Sequence, residues 1–288
     1  MNMLSIAEAT LEAAQVLRRA GVPEARREAA SLLAYVVARD RTYIITHAER
    51  ALAPSDVRRF REYVERRAAG EPLQYITGHQ EFFNLDFEVN RDVLIPRPET
   101  ELLVETALEL LGGGQAPPAR ICDVGTGSGC IAVTLLHERP VAQAVGLDIS
   151  EAALRVAARN SARHGVRERL ALVASDCFAA MDERAARFTM IVSNPPYVAA
   201  DALAGLQREV REYEPRVALS PGTNGLDVIR RLFMDAPRFL DAGGHLLMEI
   251  GFDQHAAVGE MIDPGVWQLL DIHKDLQGIP RTVAVRKK

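Results

Sequence analysis

From Arg120 onward, short apolar runs alternate with amphipathic stretches, and this alternation constrains the fold more than any other feature of the chain. Strands are expected at Arg120–Val124, Ala144–Asp148, Leu170–Ala174, Met190–Ser193 and His245–Ile250, and helices at 129–138, 151–164, 224–239 and 253–262. Two further strands, 266–272 and 282–286, close the series. Strands joined by helix-length crossovers lie parallel, with the helices covering both faces of the sheet. The expected fold class is α/β with a mostly parallel sheet, and its ligands belong at the carboxyl ends of the strands.

Residues 1–70 have a different texture and read as helices only. Ser5 and Glu8 form a capping box ahead of a periodic apolar series at Leu11, Ala14 and Leu17. A second helix is expected from Pro23, a first-turn residue, carrying Leu32, Leu33, Val36 and Val37. A third runs from Pro54 to Ala69 and stops at Gly70. With no cluster of reactive groups, this part reads as a small bundle for recognition or stability. Beyond it, the alternation in Glu81–Asn90 suggests a strand or hairpin bridging two domains. Pro96 and Pro98 end that extended stretch, a helix follows at about 99–111, and Gly112–Pro118 reads as a loop.

The 288 residues suffice for two domains, and 48% hydrophobic with 25% charged residues suits a soluble chain with a real core. No apolar run approaches the ~18 residues of a membrane span. The N-terminus lacks the features of a signal peptide. Cys122, Cys130 and Cys177 are odd in number and not spaced as CxxC, and the seven His show no HxxxH pairing. A reducing cytoplasm and no structural metal are therefore expected. The net charge of -5 argues against strong nonspecific nucleic-acid binding. Residues 1–70 nevertheless carry twelve Arg against nine Asp plus Glu, which suits either a solvated helical surface or approach to an acidic or RNA-associated partner.

The first expected strand ends in Asp123-Val-Gly125-Thr126-Gly127-Ser128-Gly129, followed by a helical run. Glycines there allow a tight turn and let a ligand approach the backbone. Asp148 ends the next strand nineteen residues after Gly129, where a carboxylate accepts from ribose hydroxyls. A dinucleotide and S-adenosylmethionine both suit this pattern. The G-x-G-x-G form, lacking the third glycine of the dinucleotide fingerprint, favours the second. So does Ser175-Asp176-Cys177-Phe178 after the third strand, where a carboxylate can meet an adenine amino group and an aromatic can cover its ring. Asp176 equally suits a helix N-cap.

The fourth strand runs into Asn194-Pro195-Pro196-Tyr197, the most specific motif in the chain. Two prolines fix φ and carry no N–H, so their carbonyls project rigidly. The Asn194 amide oxygen and the Pro195 carbonyl can together accept from one planar NH2, and Tyr197 offers a face for stacking. Such an NH2 is a weak nucleophile, because its lone pair is delocalised. Holding it in line with an electrophilic methyl is worth ~7–11 kcal/mol of barrier. A rigid turn after a strand is the plainer alternative.

Taken in order, the motifs resemble those of the HemK/PrmC family, the release factor glutamine N5-methyltransferases. They are Pro72–Gly78, Leu94–Glu101, the glycine-rich loop, Asp148–Ser150, Asn194–Tyr197, Glu214–Leu219, Gly243-Gly244, Glu249–Gly251, Asp275–Gly278 and Arg281. The resemblance spans about residues 70–285, and residues 1–70 fit the family's helical domain by size and helical character. It implies a class I, Rossmann-like S-adenosylmethionine-dependent methyltransferase fold. The expected sheet is twisted and seven-stranded with its last strand antiparallel, and a β-hairpin joins it to a small all-α N-terminal domain. The implied domains are a recognition domain (1–70), a hairpin linker (71–98) and a catalytic domain (99–288). The implied substrate is the glutamine of the Gly-Gly-Gln tip of class I peptide chain release factors. S-Adenosylmethionine is the methyl donor, and neither membrane nor direct nucleic-acid binding is expected. Gly125, Thr126, Gly127, Ser128, Gly129, Asp148, Ile149, Asp176, Cys177, Phe178 and Asn194 would hold the cofactor. Asn194, Pro195, Pro196 and Tyr197 would hold the glutamine amide. The family often has a bulky aromatic where this chain has Cys177, and Asn224 stands where relatives often have Asp. Arg97 and Glu99 suit either the cofactor's methionine end, a gate, or a buried ion pair.

Three rivals share parts of this pattern. A ribosomal protein L3 glutamine methyltransferase shares the Asn-Pro-Pro-Tyr motif, but Pro96-Arg-Pro-Glu-Thr100 favours the release-factor reading. An N6-adenine DNA methyltransferase would need a base-flipping domain and a basic groove. A noncatalytic binding protein would not need to keep the loop, the acidic residue and Asn-Pro-Pro-Tyr together.

Overall fold

Ser5 opens the first helix as its sequence predicts. Its side chain accepts from the Glu8 N–H at 3.2 Å, and the Glu8 carboxylate returns to the Ser5 N–H at 2.8 Å. The structure is a computed structural model and describes residues 4–112, 118–184 and 186–288. Contacts divide the chain into two units. One comprises Met1–His79 with Gln207–Tyr213, the other Gln80–Leu206 with Glu214–Lys288. Most of the loop expected at Gly112–Pro118 lies outside the described residues.

The first unit contains α1 (Ile6–Arg19), α2 (Ala25–Val36), α3 (Arg41–Thr46), α4 (Pro54–Ala68) and α5 (Leu73–Thr77). Leu17, Leu32, Leu33, Phe60 and Val64 pack into one core. Two expectations fail here. Leu11 is 61% exposed, because steps of three residues drift about 60° per step around a 3.6-residue helix. The buried stripe instead runs through Ile6, Ala9, Ala13 and Leu17. Pro23 precedes α2 rather than starting it, since Glu24 is left-handed (φ 49°) and cannot join a right-handed helix. The sequence reading also missed α3, which Asp40 caps by accepting from the Tyr43 N–H at 2.7 Å. Arg67, buried on α4, pairs with Glu28 and with Glu209 of the 207–213 segment, which ties that distant segment into this unit.

The second unit opens with a hairpin, β1 (His79–Phe82) and β2 (Leu85–Glu88), its first residue belonging to the other unit. Phe83 and Asn84 at its tip are both left-handed, as a two-residue hairpin loop requires. There follow α6 (Glu101–Leu111), β3 (Arg120–Val124), α7 (Cys130–Glu138), β4 (Gln143–Asp148), α8 (Glu151–Arg163), β5 (Leu170–Ala174) and β6 (Phe188–Ser193). After α9 (Arg208–Tyr213), which belongs to the first unit, come α10 (Arg216–Leu219), α11 (Asp227–Asp235), β7 (Leu240–Glu249), α12 (His255–Met261), β8 (Trp267–Lys274) and β9 (Pro280–Lys287), the short α9 and α10 having been missed in sequence. The helix expected over 224–239 starts later, because Gly225 is left-handed and only Asp227–Asp235 is α-helical.

Seven strands form one sheet in the order β5-β4-β3-β6-β7-β9-β8, with β9 alone running opposite to the other six. This is the expected class I methyltransferase sheet. Alternate strand residues feed two cores. Ile121, Met190, Val192 and Leu247 meet Leu103, Leu135 and Leu136 on one face, and Cys122, Ile191, Leu246 and Met248 meet Ile229, Leu232 and Phe233 on the other. The order reverses on the two sides of β3, which opens a crevice at the carboxyl edge.

Asn160 of α8 locks the hairpin to this scaffold. Its Oδ1 accepts from the Glu88 N–H at 2.7 Å, and its Nδ2 donates to the Glu88 and Ser128 carbonyls at 3.0 and 2.8 Å. The residue is fully buried. Asn160→Leu, with the same side-chain branching, would leave three backbone groups without this partner, each worth roughly 1–3 kcal/mol. We expect a loss of about 3 kcal/mol or more, read as a lower denaturation midpoint at unchanged m-value.

Candidate active site

The strand register assembles the site. Val124 pairs with Leu147 and with Ser193, Ser193 pairs with Met248, and Asp148 pairs with Ala174. The next residues of the parallel strands therefore leave the sheet side by side: Gly125, Ile149, Ser175 and Asn194. They border a cavity of about 310 Å³.

On one side lies the glycine-rich loop. Gly125, Gly127 and Gly129 are all left-handed, with φ of 75°, 54° and 81°, so the loop turns where other residues would be strained. The Gly125 and Thr126 N–H groups donate to the Leu147 carbonyl at 2.8 and 2.9 Å. The Gly127 and Ser150 N–H groups hold the two Asp148 carboxylate oxygens at 2.8 and 2.9 Å. Asp148 is thereby aimed before any ligand arrives, and each oxygen keeps a second lone pair. Burial raises its pKa, and these backbone bonds oppose the shift.

Beneath the loop, Asp123 is completely buried. Its Oδ2 accepts from the Thr126 hydroxyl at 2.7 Å and the Ala132 N–H at 3.2 Å, which fastens the loop to the start of α7. Burial pushes its pKa up to about 7, against those hydrogen bonds and with a smaller contribution from the charge of Asp148.

After β5, Ser175 donates to the Cys177 carbonyl at 2.7 Å and accepts from the Ala180 N–H at 3.0 Å. This tight turn leaves Cys177 left-handed at the cavity wall, its thiol pushed up to about 11 by burial. Asp176 also borders the cavity, but its carboxylate accepts from Arg231 at 2.9 Å. Phe178 turns away from the wall and stacks on Phe239 in the core, ring centres 4.7 Å apart. The adenine-covering role expected of Phe178 is corrected by this placement: its ring is apolar, and the core buries it more fully than a half-open wall would.

After β6, Ser193 ties to β3 by donating to the Val124 carbonyl at 2.7 Å. Asn194, Pro195 and Pro196 border the cavity. The Asn194 Nδ2 donates to the Thr100 hydroxyl at 3.0 Å, which leaves Oδ1 as the end of the amide for a ligand. Thr100 donates onward to Glu249 at 2.6 Å, and Tyr197 donates to the other Glu249 oxygen at 2.9 Å. Tyr197 is thus held by its hydroxyl with its ring against the core, not along the cavity as stacking on a flat substrate requires. Its pKa is raised by burial first and by the charge of Glu249 second. Gly129 likewise supports from behind: a Cβ there would meet the Ala157 Cβ at 3.1 Å.

The cavity's far wall comes from Leu94–Arg97 and Pro215–Pro221. Glu214, buried between them, accepts from the Ile95 N–H at 3.3 Å and forms an ion pair with Arg97. Arg97 borders the cavity and Glu99 does not. The structure therefore brings together Gly125, Thr126, Gly127, Ser128, Asp148, Ile149, Asp176, Cys177, Asn194, Pro195 and Pro196, and places Gly129, Phe178 and Tyr197 behind the wall. Thr100, Glu249 and Arg231 were not among the expected site residues. Glu249 did carry a signal, a carboxylate ending the apolar strand Leu246-Leu-Met.

The donor set fits a nucleoside-bearing cofactor: Asp148 for vicinal hydroxyls, Ile149 for an apolar face, and a loop whose glycines admit close approach. Among the described residues no group of three or more His, Cys, Asp and Glu could hold a metal, and no helix is long and apolar enough to cross a membrane.

Asp123 has a measurable signature. Its folded pKa near 7 lies above the ordinary 3.8, so the native state binds more protons than the unfolded chain between those values. Its contribution to stability is complete below pH 4 and is lost as pH rises through 7. Wild-type unfolding free energy should fall over pH 4–7 by an amount that Asp123→Asn removes, measured by urea titration at each pH.

Residues 8–78 match the PrmC N-terminal domain family and residues 99–210 the methyltransferase small domain family. The release factor glutamine methyltransferase of Nitratidesulfovibrio vulgaris is 43% identical over 294 residues, covering 100% of this chain and 98% of that protein. That of Cereibacter sphaeroides is 45% identical over 280 residues, covering 97% and 98%. Among solved structures, a methyltransferase from Pyrococcus furiosus shares the fold at 17% identity, with a TM-score of 0.52 over 72% of this chain and 90% of that one. Identity of this order along the whole length means that the chain belongs to the release factor glutamine methyltransferase family.

Proposed function

We propose that the protein transfers a methyl group from S-adenosylmethionine to the side-chain amide nitrogen (N5) of the glutamine in the Gly-Gly-Gln tip of class I peptide chain release factors. The by-product is S-adenosylhomocysteine, and the reaction takes place in the cytoplasm. The observation that carries this reading is the Asn194 amide, which faces the cavity beside Pro195 with its Nδ2 committed to Thr100. Membership of the family supports the same substrate class.

When bound, the cofactor supplies an electrophilic sulfonium methyl. Asp148 would accept from its ribose hydroxyls, and the loop Gly125–Gly129 would hold its amino-acid end. Cys177 and Ile149 would provide apolar surface for the base, Asp176 being already engaged by Arg231. The Asn194 Oδ1 and the Pro195 carbonyl accept the two protons of the glutamine NH2 and turn its nitrogen toward the methyl. Neither is a strong base, and none is needed before attack. The nitrogen becomes acidic only as its bond to carbon forms, and its proton then leaves to water. The chain's contribution is positioning, worth ~7–11 kcal/mol when geometry is held closely. We assign recognition of the release factor to the helical residues 1–70, linkage to 71–98 and catalysis to 99–288.

Purified protein with labelled cofactor should methylate a class I release factor and spare its Gln→Ala tip variant. Labelling of duplex DNA or of ribosomal protein L3, with the release factor untouched, would replace this assignment. Asn194→Ala should lower kcat by about 10²-fold or more while cofactor affinity, measured calorimetrically, is largely kept.

A further inference from the structure

We propose that Glu249 is a positioning residue for the transfer, setting which end of the Asn194 amide faces the substrate through the hydroxyl of Thr100. The proposal rests on the functional reading above and assigns a role to a buried carboxylate that does not itself border the cavity.

The argument is one of hydrogen-bond polarity. Glu249 is 1% exposed and ends β7, and each of its oxygens faces a hydroxyl: Oε2 that of Thr100 at 2.6 Å, Oε1 that of Tyr197 at 2.9 Å. An ionised carboxylate only accepts. Thr100 has a single hydroxyl proton, and Glu249 takes it. Toward Asn194, Thr100 can then offer only a lone pair. The amide must present its NH2 to that lone pair, at 3.0 Å, and its oxygen is left for the ligand. Reversing one member reverses the chain. With a donor at Glu249, Thr100 turns its proton to Asn194, the amide rotates, and its NH2 confronts the NH2 of the substrate glutamine.

Each oxygen of the carboxylate has a hydroxyl to accept from, which favours its ionised form. Burial raises the Glu249 pKa, and the Thr100 and Tyr197 hydroxyls and the positive charge of Arg281 oppose that shift, while Glu99 adds to it. A buried carboxylate kept only for stability would be replaceable by a well-packed apolar residue. One kept for polarity is not replaceable even by its own amide.

Glu249→Gln preserves shape and supplies one donor. We expect kcat for the release factor to fall about 30-fold or more, with KM and cofactor Kd within about threefold of wild type. A purely structural role would move stability and cofactor affinity together with kcat. The rotated amide has a second signature. Release factor carrying Gln→Glu at its tip presents an acceptor where the NH2 was, so its affinity relative to the normal tip should rise about tenfold in Glu249→Gln. Thr100→Val, which removes the intermediary, should lose kcat as Glu249→Gln does. Thr100→Ser, which keeps a hydroxyl, should restore most of what Thr100→Val loses. The double variant should be no slower than either single one, since both cut the same chain. Wild-type labelling of the release factor is measured first, and its absence overturns both the substrate and this role. Labelling by wild type with kcat unchanged in Glu249→Gln, or with Thr100→Val as active as wild type, overturns the role alone. If Glu249→Gln does not fold, the two Thr100 variants decide.

Discussion

The ladder between β3 and β6 holds everything else in place. Because Val124 lies opposite Ser193, the two loops that follow, one rich in glycine and one rich in proline, leave the sheet at the same height. One loop can bend around a ligand because it has no Cβ to obstruct it, and the other cannot bend because its φ angles are fixed. A displacement of two residues in that pairing would move Asn194 more than 6 Å along the strand direction and dissolve the site. The Ser193 hydroxyl, donating to the Val124 carbonyl at the last paired position, reinforces this register.

Polar groups were buried to aim the ones at the surface. Asp123 is buried beneath the loop it fastens, Glu249 lies behind Thr100 and Tyr197, and Glu214 holds Arg97. Each burial opposes ionisation, and the raised pKa values of Asp123 and Glu249 are the trace of that cost. Asp148 and Asn194, the groups assigned to the ligands, stand at the cavity itself, and each is held by partners already in place.

Much of this was legible in the chain. Parallel strands buried on both faces read as short apolar runs, so Arg120–Val124 and Leu170–Ala174 were placed to the residue. Strand ends preceding glycine or proline are marked chemically, which is why the loop at Gly125 and the motif at Asn194 stood out. The short helices did not stand out: α3, α9 and α10 span four to six residues, too few for a periodicity to show. Leu11 and Pro23 misled because a three-residue spacing and a residue suited to a helix's first turn are local cues, while helix phase and start were settled by packing and by the left-handed Glu24.

Sequence alone determined the order of elements, the sheet class, and which residue types stand at the strand ends, since these follow from periodicity and from the restricted backbones of glycine and proline. It did not determine which of those side chains face the cavity. Phe178 and Tyr197 carry aromatic rings suited to a flat ligand, yet one stacks on Phe239 and the other is drawn by its hydroxyl to Glu249. Those partners lie fifty or more positions away in the chain. Their capture of the rings is decided by where the sheet sets β7 beside β6, a proximity that no local spacing encodes.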